Sequence, residues 1–188
     1  MRTVTLKKRS YIIITLTFIL IGLLIWVKIS NIPVITNEFG ATLSNSYSEV
    51  EDLKDAAEII AEVKINSNEY IQYSETPFTL SNAEIKKLHK GELDGQKSIN
   101  ILETGGVVDN VEYAFEGEKV LKKKEKAIVF LEKYEGPIKS EIDKYVIIGV
   151  YEGKYKIDNK DSNVLSTSSL NRGDLAKVRA KKDLLIEN

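Results

Sequence analysis

An uninterrupted apolar run near the amino terminus constrains this chain more than any other feature. It extends from Tyr11 to Val27, contains no charged residue and directly follows a short basic cluster, Lys7-Lys8-Arg9-Ser10. At about 1.5 Å per residue, a helix that includes the flanking residues approaches the thickness of a hydrocarbon core, about 30 Å. The sequence therefore predicts a transmembrane anchor at residues 10–29, after a cytoplasmic amino terminus at residues 1–9.

A cleaved signal peptide is the alternative interpretation of this segment, since secretory signals also combine a basic start with an apolar core. The apolar run is longer than a usual signal core, and the stretch from Lys28 to Pro33 contains no Ala-x-Ala-like pair of small residues. The chain has no cysteine to carry a lipid, which excludes lipoprotein processing. We therefore expect an uncleaved anchor.

The distribution of basic residues predicts the orientation of the anchor. Four basic residues precede the span, whereas only Lys28 lies at its far edge. Because basic flanks of a first hydrophobic segment stay in the cytoplasm, we expect a single-pass protein of the cell membrane with its amino terminus inside. The lipid bilayer is its first expected partner. Residues 30–47, which include Pro33 and Gly40, are interpreted as a stalk that lifts the outer domain off the membrane.

Charge divides the outer part of the chain into two. The net charge is −8 for residues 31–158 and +2 for residues 159–188. Nothing in the outer part resembles a basic nucleic-acid-binding surface, so no nucleic-acid partner is expected. Without disulfides, the domain predicted at residues 48–158 must depend on an ordinary hydrophobic core, for which about 110 residues suffice. Residues 159–188 are predicted to be a polar tail with a short amphipathic helix.

The periodicity of the outer domain is mainly that of strands. Ser48 is expected to cap a short helix over Glu49–Ala57, after which the apolar residues Ile59, Ala61, Val63 and Ile65 alternate with others. Further strands are predicted at Tyr70–Tyr73, Phe78–Leu88, Ser98–Leu102, Ala127–Leu131 and Tyr145–Tyr151. Turn signals separate them at Asn66-Ser67-Asn68, Lys90-Gly91, Asp94-Gly95, Gly105-Gly106, Gly136-Pro137 and Glu152-Gly153.

One segment satisfies the rules for both kinds of secondary structure. Ser81 and Glu84 have capping-box spacing, and Ile85, Leu88 and Gly91 fit a helix that ends in a glycine. The strand-forming residues just before it favour a strand with a bulge. The predicted fold class is thus mainly β with minor α: an N-terminal transmembrane helix, a small antiparallel OB-like barrel with a packed helix, and a short C-terminal helix.

A series of short motifs resembles a family of uncharacterised membrane-anchored or secreted proteins of low-GC Gram-positive bacteria. The resemblance covers about residues 48–158. Its motifs are Ala57-x-Ile59-Ile60-Ala61-x-Val63, Pro77-Phe78-Thr79, Ile85-x-x-Leu88-x-Lys90-Gly91, Ile101-Leu102-Glu103-Thr104-Gly105-Gly106, Lys124-x-Lys126-Ala127-Ile128-Val129-Phe130-Leu131 and Tyr145-Val146-Ile147-Ile148-Gly149-Val150-Tyr151-x-Gly153-Lys154-Tyr155.

The order of strands is also distantly similar to the OB-fold barrel of netrin-like domains and tissue inhibitors of metalloproteinases. This resemblance implies a five-stranded barrel that binds through its loops and one exposed face. Those inhibitors reach the zinc of their target with an amino-terminal cysteine. Because this chain has no cysteine, the resemblance does not carry that mechanism over.

The sequence contains few residues in arrangements typical of catalytic or metal-binding sites. His89 is the only histidine, and one imidazole without cysteine does not form the clusters that hold zinc or build a Cys-His nucleophile pair. The acidic pairs Glu116/Glu118 and Glu141/Asp143 have the spacing of an acid and base on one strand face, but solubility explains them better. We predict no catalytic residue, no metal site and no cofactor.

The most unusual loop follows the strand at Ser98–Leu102. Adjacent glycines permit positive backbone dihedrals and leave N–H groups uncovered, which suits a ligand carboxylate or a partner's main chain. We predict a ligand- or partner-binding site formed by Glu103, Thr104, Gly105, Gly106 and Tyr113, with a plain turn as the alternative. Five tyrosines are also candidates for an aromatic binding face: Tyr113, Tyr134, Tyr145, Tyr151 and Tyr155.

The tail predicts a helix that begins at Asp174 and places Leu175, Val178 and Leu185 on one side. Its own domain, a partner and lipid headgroups are all possible docking surfaces, and its own domain is the first choice. For the whole chain we expect a non-catalytic module that binds another envelope protein or peptide. The alternatives are a protease-inhibitor-like or immunity protein of the envelope, and a carboxylate-dependent envelope enzyme.

Overall fold

The computed structural model describes residues 3–30, 32–40, 45–138 and 143–184. Its first element is the helix α1, Thr3–Ile29. Within the described residues, Ser10–Ile29 is the one helical segment long and apolar enough to cross a membrane, with a mean hydropathy of 2.6 and no part of it buried against the domain. The predicted membrane-length helix is confirmed, although a signal sequence meets the same criterion.

Ten strands, of which two have 15 residues each, are the main regular structure in the remaining described chain. The strands are β1 (Ile35–Phe39), β2 (Ile59–Tyr73), β3 (Thr76–Lys90), β4 (Ser98–Thr104), β5 (Gly106–Val108), β6 (Val111–Phe115), β7 (Lys126–Lys133), β8 (Tyr145–Ile147), β9 (Lys154–Ile157) and β10 (Leu165–Ser166). Helix α2 (Val50–Ala56) precedes β2, and a 3-10 turn (Leu175–Lys177) and helix α3 (Lys181–Leu184) follow β10.

Five of these strands close into a ring in the order β2-β3-β4-β8-β7. The pairings are antiparallel except between β4 and β8, where Ile101 lies opposite Tyr145 in a parallel register. Numbered along the chain, the ring has the order 1-2-3-5-4, so it is a small closed barrel of OB-like form. The predicted fold class is confirmed. The strands β9 and β10 extend the sheet beyond β7, and β1, β6 and β5 form a second sheet.

Strand β2 is buried on both faces of its first half, because it separates two apolar clusters. Ile59, Ala61, Val63 and Ile65 point into the barrel core, as the alternation predicted. Ile60 points the other way, into an outer cluster. The outer cluster combines α2, β7, β9 and the tail through Leu53, Phe130, Tyr155, Leu175, Val178 and Leu184.

The tail packs on its own domain, the first of the docking surfaces considered above. Leu175 and Val178 are buried in the outer cluster, and Lys181 Nζ contacts Glu62 Oε2 of β2 at 2.5 Å. Leu185, also predicted to face the domain, lies outside the described residues. The predicted single helix is instead a 3-10 turn and α3, and β10 lies within residues 159–188, which were predicted to be a polar tail without a strand.

Two local predictions were wrong. Glu49, not Ser48, is the N-cap of α2, because the Ser48 carbonyl accepts hydrogen bonds from the Asp174 and Leu175 N–H groups of the tail. The expected turn at Asn66–Asn68 does not form. Strand β2 continues through it with a register shift, since Asn68 Nδ2 donates to Ser81 Oγ at 2.8 Å and to the Leu121 carbonyl at 2.9 Å.

Two further segments also differ from their predicted form. The strand predicted over Tyr145–Tyr151 ends at Ile147, because Gly149 and Val150 adopt positive φ and turn the chain back. The segment expected to be a stalk contains β1, which pairs in parallel with β6 along its whole length. Strand β3, by contrast, is the bulged strand that was favoured over a helix for residues 81–90, with register shifts against Ile60–Val63.

Candidate binding cavity

A cavity of about 200 Å³ lies where the end of β4, strand β8 and the turn after β8 approach one another. Apolar side chains form more than half of its walls, and polar or charged side chains form the rest. Small-ligand sites typically combine these two kinds of side chain. The lining residues are Asn45, Tyr47, Leu102, Glu103, Thr104, Phe115, Glu118, Val120, Glu132, Val146, Ile147, Ile148, Gly149, Val150 and Lys154.

A buried ion pair lies in the wall of this cavity. Lys154 Nζ of β9 lies 3.0 Å from Glu103 Oε1 of β4, and the two side chains are only 7% and 5% exposed. Glu103 Oε2 also accepts the Leu121 N–H at 3.0 Å, and Lys154 Nζ donates to the Lys119 carbonyl at 2.8 Å. These additional hydrogen bonds offset the cost of removing both charges from water. The pair thus links two strands that are not neighbours in the sheet.

A second buried carboxylate brings residues 45–47 to the cavity. Glu152 is buried, and its two oxygens accept hydrogen bonds from Ser46 Oγ at 2.7 Å and from the Tyr47 N–H at 2.8 Å. Asn45 and Tyr47, the residues before and after Ser46, line the cavity. Burial raises the pKa of the Tyr47 hydroxyl, and the nearby Glu132 and Glu152 raise it further. Tyr47 is therefore a neutral hydrogen-bonding group at physiological pH.

The turn after β8 supplies a strained residue to the cavity wall. Val150 has a φ of +59°, a conformation that a β-branched side chain rarely adopts. Its N–H donates to the Ile147 carbonyl at 3.2 Å, and the adjacent Gly149, also at positive φ, leaves room for the Glu152 carboxylate. Strain of this kind is often retained at binding sites, where the surrounding contacts hold it in place.

The charges around the cavity favour a cationic ligand group. Glu103, Glu118 and Glu132 line it, against the single cation Lys154 among the described lining residues. Because Glu103 and Lys154 neutralise each other, the carboxylates of Glu118 and Glu132 are the remaining charges in the cavity wall. Glu118 Oε1 is held by Ser168 Oγ at 2.5 Å, whereas the Glu132 side chain is exposed at the margin. An ammonium or guanidinium group is the complementary chemistry.

The structure separates the five residues predicted as a site. Glu103 and Thr104 line the cavity, whereas Gly105, Gly106 and Tyr113 are not among its lining residues. Tyr113 instead borders a different surface depression with Phe39 and Pro77.

The expectation of an uncovered N–H group is wrong for Gly105. Its N–H donates to the Pro77 carbonyl at 2.8 Å, and its carbonyl accepts the Thr79 hydroxyl at 2.7 Å. A Cβ on Gly105 would lie 2.5 Å from the Tyr113 carbonyl oxygen, and one on Gly106 would overlap Thr79 Oγ1. The two glycines therefore permit close packing of β5 against its neighbours.

The other candidate groups do not form a second site within the described part of the chain. The five tyrosines do not share an exposed face, because Tyr155 is fully buried in the outer cluster and Tyr151 is nearly so. Burial lowers the pKa of His89, and the neighbouring Lys87 lowers it further. No group of three or more potential metal ligands occurs among the described residues.

Among the described residues of the two acidic pairs, Glu118 alone reaches the cavity. Glu118 lines it, whereas Glu116 lies exposed in a turn with a φ of +48°. In the second pair, Asp143 contacts Lys133 at 3.1 Å and Glu141 lies outside the described residues. Sequence reasoning missed Lys154, Glu132, Val150 and Tyr47. Lys154 stands in the sequence only as a lysine after the Glu152-Gly153 turn and within a resemblance motif, and neither feature distinguishes it from the surface lysines.

Comparison of the chain with models of protein families, with curated proteins and with solved structures finds no match in any of the three. The resemblances noted in the sequence therefore remain predictions. Helix α1 and the geometry of the cavity are the two features of the molecule that bear on its function.

Proposed function

We propose that this protein is a single-pass membrane-anchored binding module whose outer barrel captures a basic group of another envelope protein or peptide. In this proposal α1 remains as an uncleaved anchor, and the amino terminus is inside. The excess of basic residues before the apolar run supports this orientation.

The cavity is the observation that carries the binding role. It combines apolar walls with the carboxylates of Glu118 and Glu132, while Glu103 is already neutralised by Lys154. A volume of about 200 Å³ suits a single side chain or chain terminus better than a large cofactor. A lysine or arginine side chain from a partner would bury its methylene groups against the apolar walls and pair its charge with these carboxylates.

Site-directed photocrosslinking in intact cells tests this role. A photoreactive phenylalanine analogue would replace Tyr47, which lines the cavity, in the full-length protein. The same analogue at Tyr73, an exposed tyrosine that does not line the cavity, is the matched control. We expect a discrete adduct with an envelope protein or peptide from position 47 but not from position 73, and a several-fold loss of that adduct in the Glu118→Gln/Glu132→Gln variant. No adduct, or an adduct unaffected by that variant, would refute the proposed role.

The partner's identity would also test the inhibitor-like alternative. Capture of an envelope protease, together with loss of its activity in the presence of the protein, would favour inhibition over simple binding. This alternative rests on the resemblance in strand order alone, and the anchored binding module is therefore the function that we propose.

A further inference from the structure

The hairpin between β5 and β6 contacts the end of the membrane-length helix. Asn110, at its tip, donates from Nδ2 to the Val27 carbonyl at 3.0 Å and to the Ile32 carbonyl at 2.8 Å. Its own carbonyl accepts the Val34 N–H at 2.8 Å. Asp109 and Asn110 have φ values of +49° and +64°, which these residue types tolerate in a tight turn. The hairpin tip thus hydrogen-bonds to one carbonyl in the last turn of the helix and to another just beyond it.

The connection from α1 to the domain is short. Strand β1 begins six residues after Ile29, and its first residue, Ile35, already pairs with Val111 of β6. Six extended residues span at most about 20 Å. With the Asn110 contacts, this connection holds the second sheet directly at the helix end, so the chain has no free stalk there.

Apolar and aromatic side chains are exposed at this end of the domain. Ile32, Val34, Ile35 and Tyr70 are 38%, 65%, 58% and 40% exposed. Tyr70 comes from β2 but borders a surface depression with Lys28 of α1 and with Val107–Asn110 of the hairpin. Tyrosine, aliphatic residues and a lysine that can extend toward water are typical of the membrane interface.

We propose that this helix-end face, formed by Ile32, Val34, Ile35, Tyr70 and Val108, lies in the headgroup layer of the bilayer and holds the barrel against the membrane. Lipid is the occupant because the face is continuous with α1. If the hydrocarbon core ends near Ile29, the headgroup layer begins at the end of the helix. Asn110 holds the β5–β6 hairpin at this same level, because it hydrogen-bonds to the Val27 and Ile32 carbonyls. This inference rests on the anchoring part of the proposed function and is independent of the cavity.

Depth-dependent fluorescence quenching tests the inference, since Trp26 is the only tryptophan. Three single-tryptophan forms of the full-length chain would be reconstituted in phosphatidylglycerol–phosphatidylethanolamine vesicles containing a lipid with a nitroxide on its headgroup. They are the native chain, Trp26→Phe/Tyr70→Trp, and Trp26→Phe/Lys86→Trp as the control. Lys86 is an exposed residue of β3. It lies seven residues after Thr79, which pairs with Tyr70, so positions 70 and 86 are separated by about 23 Å along the hairpin.

We expect the headgroup nitroxide to quench the tryptophan at position 70 about as strongly as Trp26, and several-fold more than the tryptophan at position 86. Adding Asn110→Ala should reduce quenching at position 70. Quenching at position 70 no greater than at position 86, with Trp26 quenched, would overturn the inference and leave the anchor intact. Lack of quenching of Trp26 would instead refute the anchor itself. Val34→Trp is a second probe if circular dichroism shows that the change at Tyr70 disturbs the fold.

Discussion

Gly106 allows β5 to pack closely against the barrel, because it has no side chain. Its φ of +124° is strained for any residue with a side chain, and a Cβ would overlap Thr79 Oγ1 and lie 2.7 Å from Tyr70 Cε1. We expect Gly106→Ala to lower the free energy of unfolding by about 3 kcal/mol or more, because strain and overlap add. Urea unfolding of the full-length protein in detergent, followed by circular dichroism, measures this change.

Gly95 offers the matched control for that substitution. It has a φ of +76°, but a Cβ there would meet no atom within 4 Å. Gly95→Ala should therefore cost only the backbone strain, about 1 kcal/mol. Equal costs at the two positions would contradict the close packing assigned to Gly106.

Among the elements, strands in which apolar and other residues alternate could be predicted from the sequence, whereas the continuation of these strands past turn-forming residues could not. The alternation over Ile59–Ile65 indicated the strand and the face that lines the barrel core, because alternation is a local property of the sequence. It did not indicate that Ile60 on the opposite face is buried as well. The continuation of β2 through Asn68 depends on partners from β3 and from the loop before β7. Local turn propensity cannot anticipate hydrogen bonds with residues so distant in the chain.

The same limit applies to the candidate cavity. Glu103 and Thr104 were predicted because an unusual glycine pair marks their loop. Lys154 was not predicted, because the sequence does not distinguish it from Lys156. The two lysines lie on the same face of the strand, yet Lys156 remains partly exposed beside Glu125. What distinguishes the two lysines is the packing of β9 across from β4, which exists only in the folded barrel.

The buried ion pair between Glu103 of β4 and Lys154 of β9 stabilises the packing of these two strands. Lys154→Met would leave the Glu103 carboxylate buried without its cation, so we expect the free energy of unfolding to fall by about 3–5 kcal/mol. The double variant Lys154→Met/Glu103→Gln should recover part of this loss, because it removes the unpaired charge and keeps an acceptor for the Leu121 N–H. Denaturant unfolding of the native protein, of the single variants Lys154→Met and Glu103→Gln, and of the double variant measures the coupling.

The exposed pair of Lys177 and Asp174 is the control for this cycle. Its side chains are 77% and 59% exposed, so Lys177→Met should change the free energy of unfolding by less than about 1 kcal/mol. A comparable cost for Lys177→Met and Lys154→Met would show that burial adds nothing to the Glu103–Lys154 pair.

At the scale of the whole molecule, Glu112 couples the second sheet to the segment that leads into the barrel. This buried carboxylate of β6 contacts Lys119 Nζ at 2.5 Å and Lys122 Nζ at 2.7 Å. Burial alone would raise the pKa of Glu112, but the hydrogen bonds from Lys119 and Lys122 outweigh it and place the pKa below the ordinary value of 4.5. The charged form is therefore favoured by the folded state.

The sign of the resulting pH dependence follows from this direction. A carboxyl group whose pKa is lower in the folded state contributes stability above its unfolded pKa and loses it as the pH falls through the folded pKa. We expect Glu112→Gln to lower the free energy of unfolding by about 1–3 kcal/mol at pH 7, because two charge-assisted hydrogen bonds are lost. The difference from the native protein should shrink as the pH falls through 4.5 and below. Urea titrations between neutral and acidic pH measure it, with the exposed Glu92→Gln as the control; a difference that stays constant with pH would show that the Glu112 charge does not join the second sheet to the barrel.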